Sequence, residues 1–168
     1  MRPHLLLLSV SILALPIALA GCINTDAAVF VEPSILSPKA TVAGGALGVT
    51  ISGEFKLNLH LGPRASGPSQ VALGGFAILD ADKKAEITSI QLGDSAIQFP
   101  TTVEPDVDAL ATFPFDLGSK TLPATAKDKA AGSLCDPRGV TLRGTIQDSL
   151  AGGSTPFFSE IIHPDGCL

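Results

Sequence analysis

The sequence predicts an all-β fold, an antiparallel β-sandwich, and three observations carry that prediction. Glycine (17) and proline (13) together make up 30 of 168 residues, about 18% against roughly 12% in an average chain. Apolar and polar residues alternate strictly from Gly48 to Leu61. One segment alone, Ala124–Ala131, has the Ala and Lys content of a helix, and it is long enough for about two turns. That segment reads equally well as a charged loop.

Gly48–Leu61 is the clearest element. Val49, Ile51, Phe55, Leu57, Leu59 and Leu61 share one face, with Gly53 in register. Thr50, Ser52, Glu54, Lys56, Asn58 and His60 share the other. A period of two over this length is a half-buried strand, with Gly53 as a point where it can bend. Upstream, Ala28–Val31 is a candidate strand, and Pro33–Leu47 is left open between strand and further linker. Val71–Leu79 is apolar around Gly74-Gly75, which predicts a bulge or bend. Asp80–Lys84 is a polar turn, and the β-branched run Glu86–Leu92 completes a hairpin. Ala96–Phe99 reads as a short strand ended by Pro100. Ala109, Ala111, Phe113, Phe115 and Leu117 alternate, and Pro114 among them predicts an edge position. Gly139–Gln147 alternates again, with Val140, Leu142 and Ile146 opposite Thr141, Arg143, Thr145 and Gln147. Phe157–Ile162 is the last strand.

Seven or eight short strands with at most one short helix fit a sandwich of immunoglobulin or fibronectin type III style. The likeness is architectural, because the chain has no Trp. The eight Phe are expected to be the large core residues.

Composition excludes several functions. Hydrophobic residues are 45% and charged ones 16%, so the chain is not intrinsically disordered. A net charge of -5 and a pI of 5.0 exclude nucleic-acid binding through a basic surface.

The N-terminal segment is the most informative about location. Arg2 precedes Leu5–Ala20, which is apolar except for Ser9, Ser11 and Pro16. A basic head and an apolar core make an export signal. The core falls short of the roughly 18–20 residues needed to span a bilayer. It closes on Leu19-Ala20-Gly21-Cys22. This tetrapeptide resembles the lipobox of bacterial lipoproteins, matching it at all four positions. The resemblance implies that residues 1–21 are a signal peptide, cut before Cys22 by a signal peptidase of the lipoprotein type (signal peptidase II). It implies a diacylglyceryl group on the Cys22 thiol and an acyl chain on the new amine. Two or three chains, at about 0.8 kcal/mol per buried methylene, make a lasting anchor in the lipid bilayer. Ile23 follows Cys22 where an Asp would mark inner-membrane retention, so the expected location is the cell envelope, at the outer membrane rather than the inner.

Residues 22–27 are then a short lipidated tether, about 20 Å at full extension. Residues 28–168 form a single β-sandwich domain, large enough for its own core. The acidity of that domain discourages close contact with anionic lipid. With Cys22 lipidated, Cys135 and Cys167 remain as a pair 32 residues apart. An exported chain folds where disulfides form, and closing a loop of that size contributes about 3.5 kcal/mol. The alternatives are free thiols or a metal site joining Cys135 and Cys167 to His163, which lacks a fourth ligand.

No catalytic motif is present, and no cofactor is implied beyond the lipid at Cys22. His60 lies on the polar face of its strand and reads as a solvated residue. His163 precedes a Pro-Asp-Gly turn and reads as a loop residue. Asp80 and Asp82 share one turn, and Glu104, Asp106 and Asp108 share a loop. These carboxylates are weak Ca²⁺ candidates, because alternate acids in a loop can converge on a cation. Turn chemistry explains Asp80 and Asp82 without metal. Sugar stacking loses its main device with neither Trp nor Tyr present. Phe157 and Phe158 point to opposite faces of their strand. The expected arrangement buries both; the alternative leaves one as an apolar contact for a partner protein.

The resulting expectation is a membrane-anchored envelope lipoprotein with a non-catalytic sandwich, acting as a protein-interaction or structural module with an envelope protein partner. The first alternative is a lipoprotein that binds a small ligand or Ca²⁺. The second is an anchored hydrolase, which requires His60 or His163 beside a Ser and an acid.

Overall fold

A computed structural model describes residues 27–167. Eight antiparallel strands run in chain order: β1 (Glu32–Gly45), β2 (Gly48–Leu61), β3 (Ser69–Asp80), β4 (Glu86–Leu92), β5 (Thr101–Val103), β6 (Val107–Asp116), β7 (Val140–Asp148) and β8 (Gly153–Ile162). The fold is all-β. No helix among the described residues is long and apolar enough to cross a membrane. Where Ala124–Ala131 gives two readings, the structure has a single 3-10 turn, Ala124–Lys127, with none of its residues buried. Without an apolar face to pack, so short a segment has nothing to hold a longer helix.

The strands form one curled sheet in the order β1-β2-β6-β4-β3-β7-β8, with β5 paired to β3 beside β4. β4 makes the corner. Its residues Glu86–Ile90 pair with β3, and Gln91 and Leu92 pair with Asp116 and Phe115 of β6. The halves β1-β2-β6-β4 and β3-β7-β8 therefore face each other. Setting β5 aside, this is the ABED and CFG order of constant-type immunoglobulin sandwiches. The Phe55 ring of β2 stacks on Phe76 of β3 at 5.6 Å between centroids, and on Phe113 of β6 at 5.7 Å. The core is thus built from the alternating apolar faces. Of the eight Phe, however, Phe30 and Phe158 lie outside it.

Four local expectations change. β1 is a full strand where Pro33–Leu47 was left open, and the candidate Ala28–Val31 precedes it as irregular chain. A bulge between Leu36 and Lys39 carries Ser37 at φ 49°. It shifts the inward phase from Ile35 to Ala40 and Val42, which breaks the alternation. Pro33 and Pro38 are tolerated because β1 ends the strand order. Ala96–Phe99 is not a strand; pairing begins after Pro100, at β5. There the Ser95 hydroxyl donates to the Ile97 carbonyl at 2.5 Å, a local bond that competes with a ladder. β6 lies inside the sheet, not at its edge. Its Pro114 carbonyl accepts the Gly93 amide just past the last β4 pair, so the missing N–H removes only the return bond at the point where pairing ends. Lastly, Thr141 sits on the polar face of β7 yet is fully buried. β7 is a central strand, and Thr141 is flanked by Leu79 of β3 and Ile161 of β8.

The register fixes two ends. At the proximal end lie the start of β1, the close of β2, the start of β6 and the β7–β8 turn, as the pairings Glu32↔His60, His60↔Asp108 and Val71↔Asp148 require. At the distal end lie the β1–β2 turn, the β3–β4 turn and the C-terminal segment. β1 and β8 run parallel along a seam. Near the distal end Asp165 closes it, its amide donating to Ala40 and its carbonyl accepting from Val42.

Candidate functional site

The proximal end is organised by one buried carboxylate. Asp148 closes β7, and its Oδ2 accepts the Val31 amide at 2.8 Å. Its Oδ1 accepts the Ser69 hydroxyl and, at 2.9 Å, the Leu150 amide. Burial pushes this carboxyl up, but hydrogen bonds from Ser69, Val31, Leu150 and Ala151 outweigh it and hold it below its ordinary value. The group is a clamp. It pins the chain entering β1 to the β7–β8 turn. Beside it an open cleft of about 450 Å³ is lined by Gln70, Gln147, Ser149 and Ser154 among others. Among the described residues lining that cleft Asp148 is the single ionisable one, and both of its oxygens are already engaged.

The pinned segment carries Val29 and Phe30, which are 44% and 50% exposed. Val107, at the start of β6 on the same end, is 49% exposed. These residues give no periodic signal in the sequence, because they precede the first strand or begin one.

His60 is not a freely solvated residue. Its Nδ1 lies 2.7 Å from Asp108 Oδ1, opposite it on β6, and its side chain is 31% exposed. The cross-strand register brings the two together. His163 is exposed beyond β8.

On the outer face of β3-β7-β8, Phe157 turns inward and Phe158 outward. Phe158 is 39% exposed, which corrects the expectation that both would be covered. Lys83, held in the β3–β4 turn at φ 60°, stands 5.0 Å over the Phe158 ring as a cation–π contact. Ile161, further along β8, is 51% exposed. Opposite Ile161 on β7, the Thr141 hydroxyl is buried with no hydrogen-bond partner among the described residues.

The distal end carries a charged node. Arg138 binds Asp136 Oδ2 at 2.7 Å and Asp82 Oδ2 at 2.8 Å. The Arg138 side-chain bonds, joined by the Arg138 and Gly132 amides, hold the Asp136 carboxyl well below the usual carboxylate range. The same carboxylates hold the guanidinium above its usual value. Next to it Cys135 and Cys167 are bridged, with Cα atoms 5.4 Å apart. Thiols joined in this way are not available to a metal with His163.

The predicted cation candidates are not brought together. Asp80 Oδ1 accepts the Lys84 and Ala85 amides within its own turn. Asp82 serves Arg138 at the distal end. Asp108 serves His60 at the proximal end, and Glu104 and Asp106 are exposed in the loop before β6. No group of three His, Cys, Asp or Glu converges among the described residues. Cys22, the signal segment 1–21 and tether residues 22–26 lie outside the described residues. Neither a protein-family model nor any curated protein matches the chain.

Proposed function

We propose that this chain is a cell-envelope lipoprotein, anchored through lipid on Cys22, whose sandwich is a non-catalytic module for contact with an envelope protein. The observation that carries the reading is the spacing between lipobox and fold. Val31, the residue that Asp148 pins to the sandwich, follows Cys22 by nine positions, so the domain begins almost at the anchor. The outward Phe158 and Ile161 on β8 supply an apolar contact on a terminal strand, away from that anchor. The outer membrane is the expected home, from Ile23 after Cys22.

Mass spectrometry of the mature N-terminus and detergent partitioning test the anchor. A start at Cys22 with diacylglyceryl mass supports it. A Cys22→Ser chain that matures and partitions like the unaltered one overturns it. Photo-crosslinkers at Phe158 and Ile161 test the module; cross-links to one envelope protein support it, and none at either position overturns it.

A further inference from the structure

We propose that the proximal end of the sandwich seats directly on the bilayer, with Val29 and Phe30 entering the headgroup region of a zwitterionic lipid surface. This rests on the anchored-lipoprotein reading.

Three observations converge. The first is reach. Val29 follows Cys22 by seven positions, which at full extension span no more than about 25 Å. An anchored Cys22 therefore keeps Val29 close to the membrane surface. The second is exposure. Val29 and Phe30 are adjacent, apolar and half exposed. They are the last two residues before the Val31 clamp on Asp148, so they are held against the end of the sandwich. Val107 adds apolar surface on the same end. An aromatic and a branched aliphatic residue at this depth are suited to a bilayer interface. The third is charge. Glu32, Glu104 and Asp106 are exposed at this end, and Arg64 is the cation of the neighbouring β2–β3 loop. This balance offers no attraction to anionic headgroups, so the contact is apolar and the surface it fits is neutral.

Because the chain has neither Trp nor Tyr, Phe30→Trp introduces a single indole. Leu47→Trp does the same at the distal β1–β2 turn, where Leu47 is 89% exposed. Both lipid-modified proteins are reconstituted in phosphatidylcholine vesicles containing bromine-labelled phosphatidylcholine. The expected result is blue-shifted emission and at least twofold quenching for Phe30→Trp, with Leu47→Trp unshifted and unquenched. Equal quenching of the two, in protein that floats with the vesicles, overturns the seating and leaves the anchor intact. Failure of the lipid-modified protein to float overturns the anchored reading instead. A blue shift of Phe30→Trp without vesicles that grows with protein concentration overturns the bilayer as occupant and assigns the surface to a second copy of the chain.

Discussion

The Val31 amide donates to Asp148 Oδ2 at 2.8 Å although 117 residues separate the two in the chain. The bond joins the entry of the first strand to the exit of the seventh. It thereby fixes the chain that enters β1 at the proximal end of the sandwich.

Asp148→Asn tests that clamp. The amide replaces one acceptor with an NH2 donor, which must then face the Val31 amide or the Ser69 and Leu150 donors. A donor left unpaired in a buried site costs about 1–3 kcal/mol, and urea denaturation should show a loss in that range. A midpoint equal to the unaltered protein's would mean that the clamp contributes nothing.

Acid should weaken the fold. Asp136 and Asp148 are both held below their ordinary value, so at low pH the unfolded chain binds protons that the folded chain does not. Their contribution is fully present above the unfolded carboxylate value, about 3.9, and is lost as pH falls through the folded values. Denaturation midpoints should therefore drop from pH 5 to pH 2. Arg138→Leu removes the main cause of the Asp136 depression, and its midpoint should fall less steeply over the same interval.

Phe55 is the large side chain at the centre of the core, 1% exposed and in ring contact with Phe76, Phe113 and Phe115. Phe55→Ala should destabilise by about 3–5 kcal/mol. Phe158→Ala, on the outer face, should lose less than about 1 kcal/mol. Comparable losses at the two positions would contradict the burial pattern.

Reduction of the Cys135–Cys167 bridge releases a loop of 32 residues. The expected loss is about 3.5 kcal/mol. The Cys135→Ser, Cys167→Ser double variant should melt at a lower temperature and be indifferent to reductant, whereas the unaltered protein should respond to it.

Calcium should leave the melting temperature unchanged, and so should a chelator. Asp82 is committed to Arg138 and Asp108 to His60, and the remaining candidates do not converge with them. A rise in melting temperature on adding millimolar Ca²⁺ would restore the cation reading.

The parts of the fold legible in the sequence are those whose pattern is strictly local. β2 and β4 have the bounds that alternation and β-branching predict. The bulge at Gly74-Gly75 appears as a register shift between Leu73 and Phe76. The Cys135–Cys167 pairing followed once the lipobox resemblance had set Cys22 aside, leaving two cysteines in an exported chain. β1 was not legible, because the bulge after Leu36 reverses which parity points inward. Pro114 misled because its neighbour β4 stops pairing beside it, a fact of tertiary arrangement. At the candidate site, nothing in the sequence singles out Asp148, which follows the alternating run Gly139–Gln147. Its role depends on Val31 and Ser69, each more than 75 residues away in the chain. His60 likewise met Asp108 only through the β2–β6 register.

β7 and β8 lie wholly inside the loop closed by Cys135 and Cys167. The entry to β1 and Cys167 stand at opposite ends of the described residues. If the chain is anchored as proposed, tension drawn between the membrane and a load on the C-terminus would therefore bypass those two strands. It would run through the sulfur bridge to Cys135, and single-molecule pulling would find the extensible chain shorter than the reduced one by the 32-residue separation that the bridge spans.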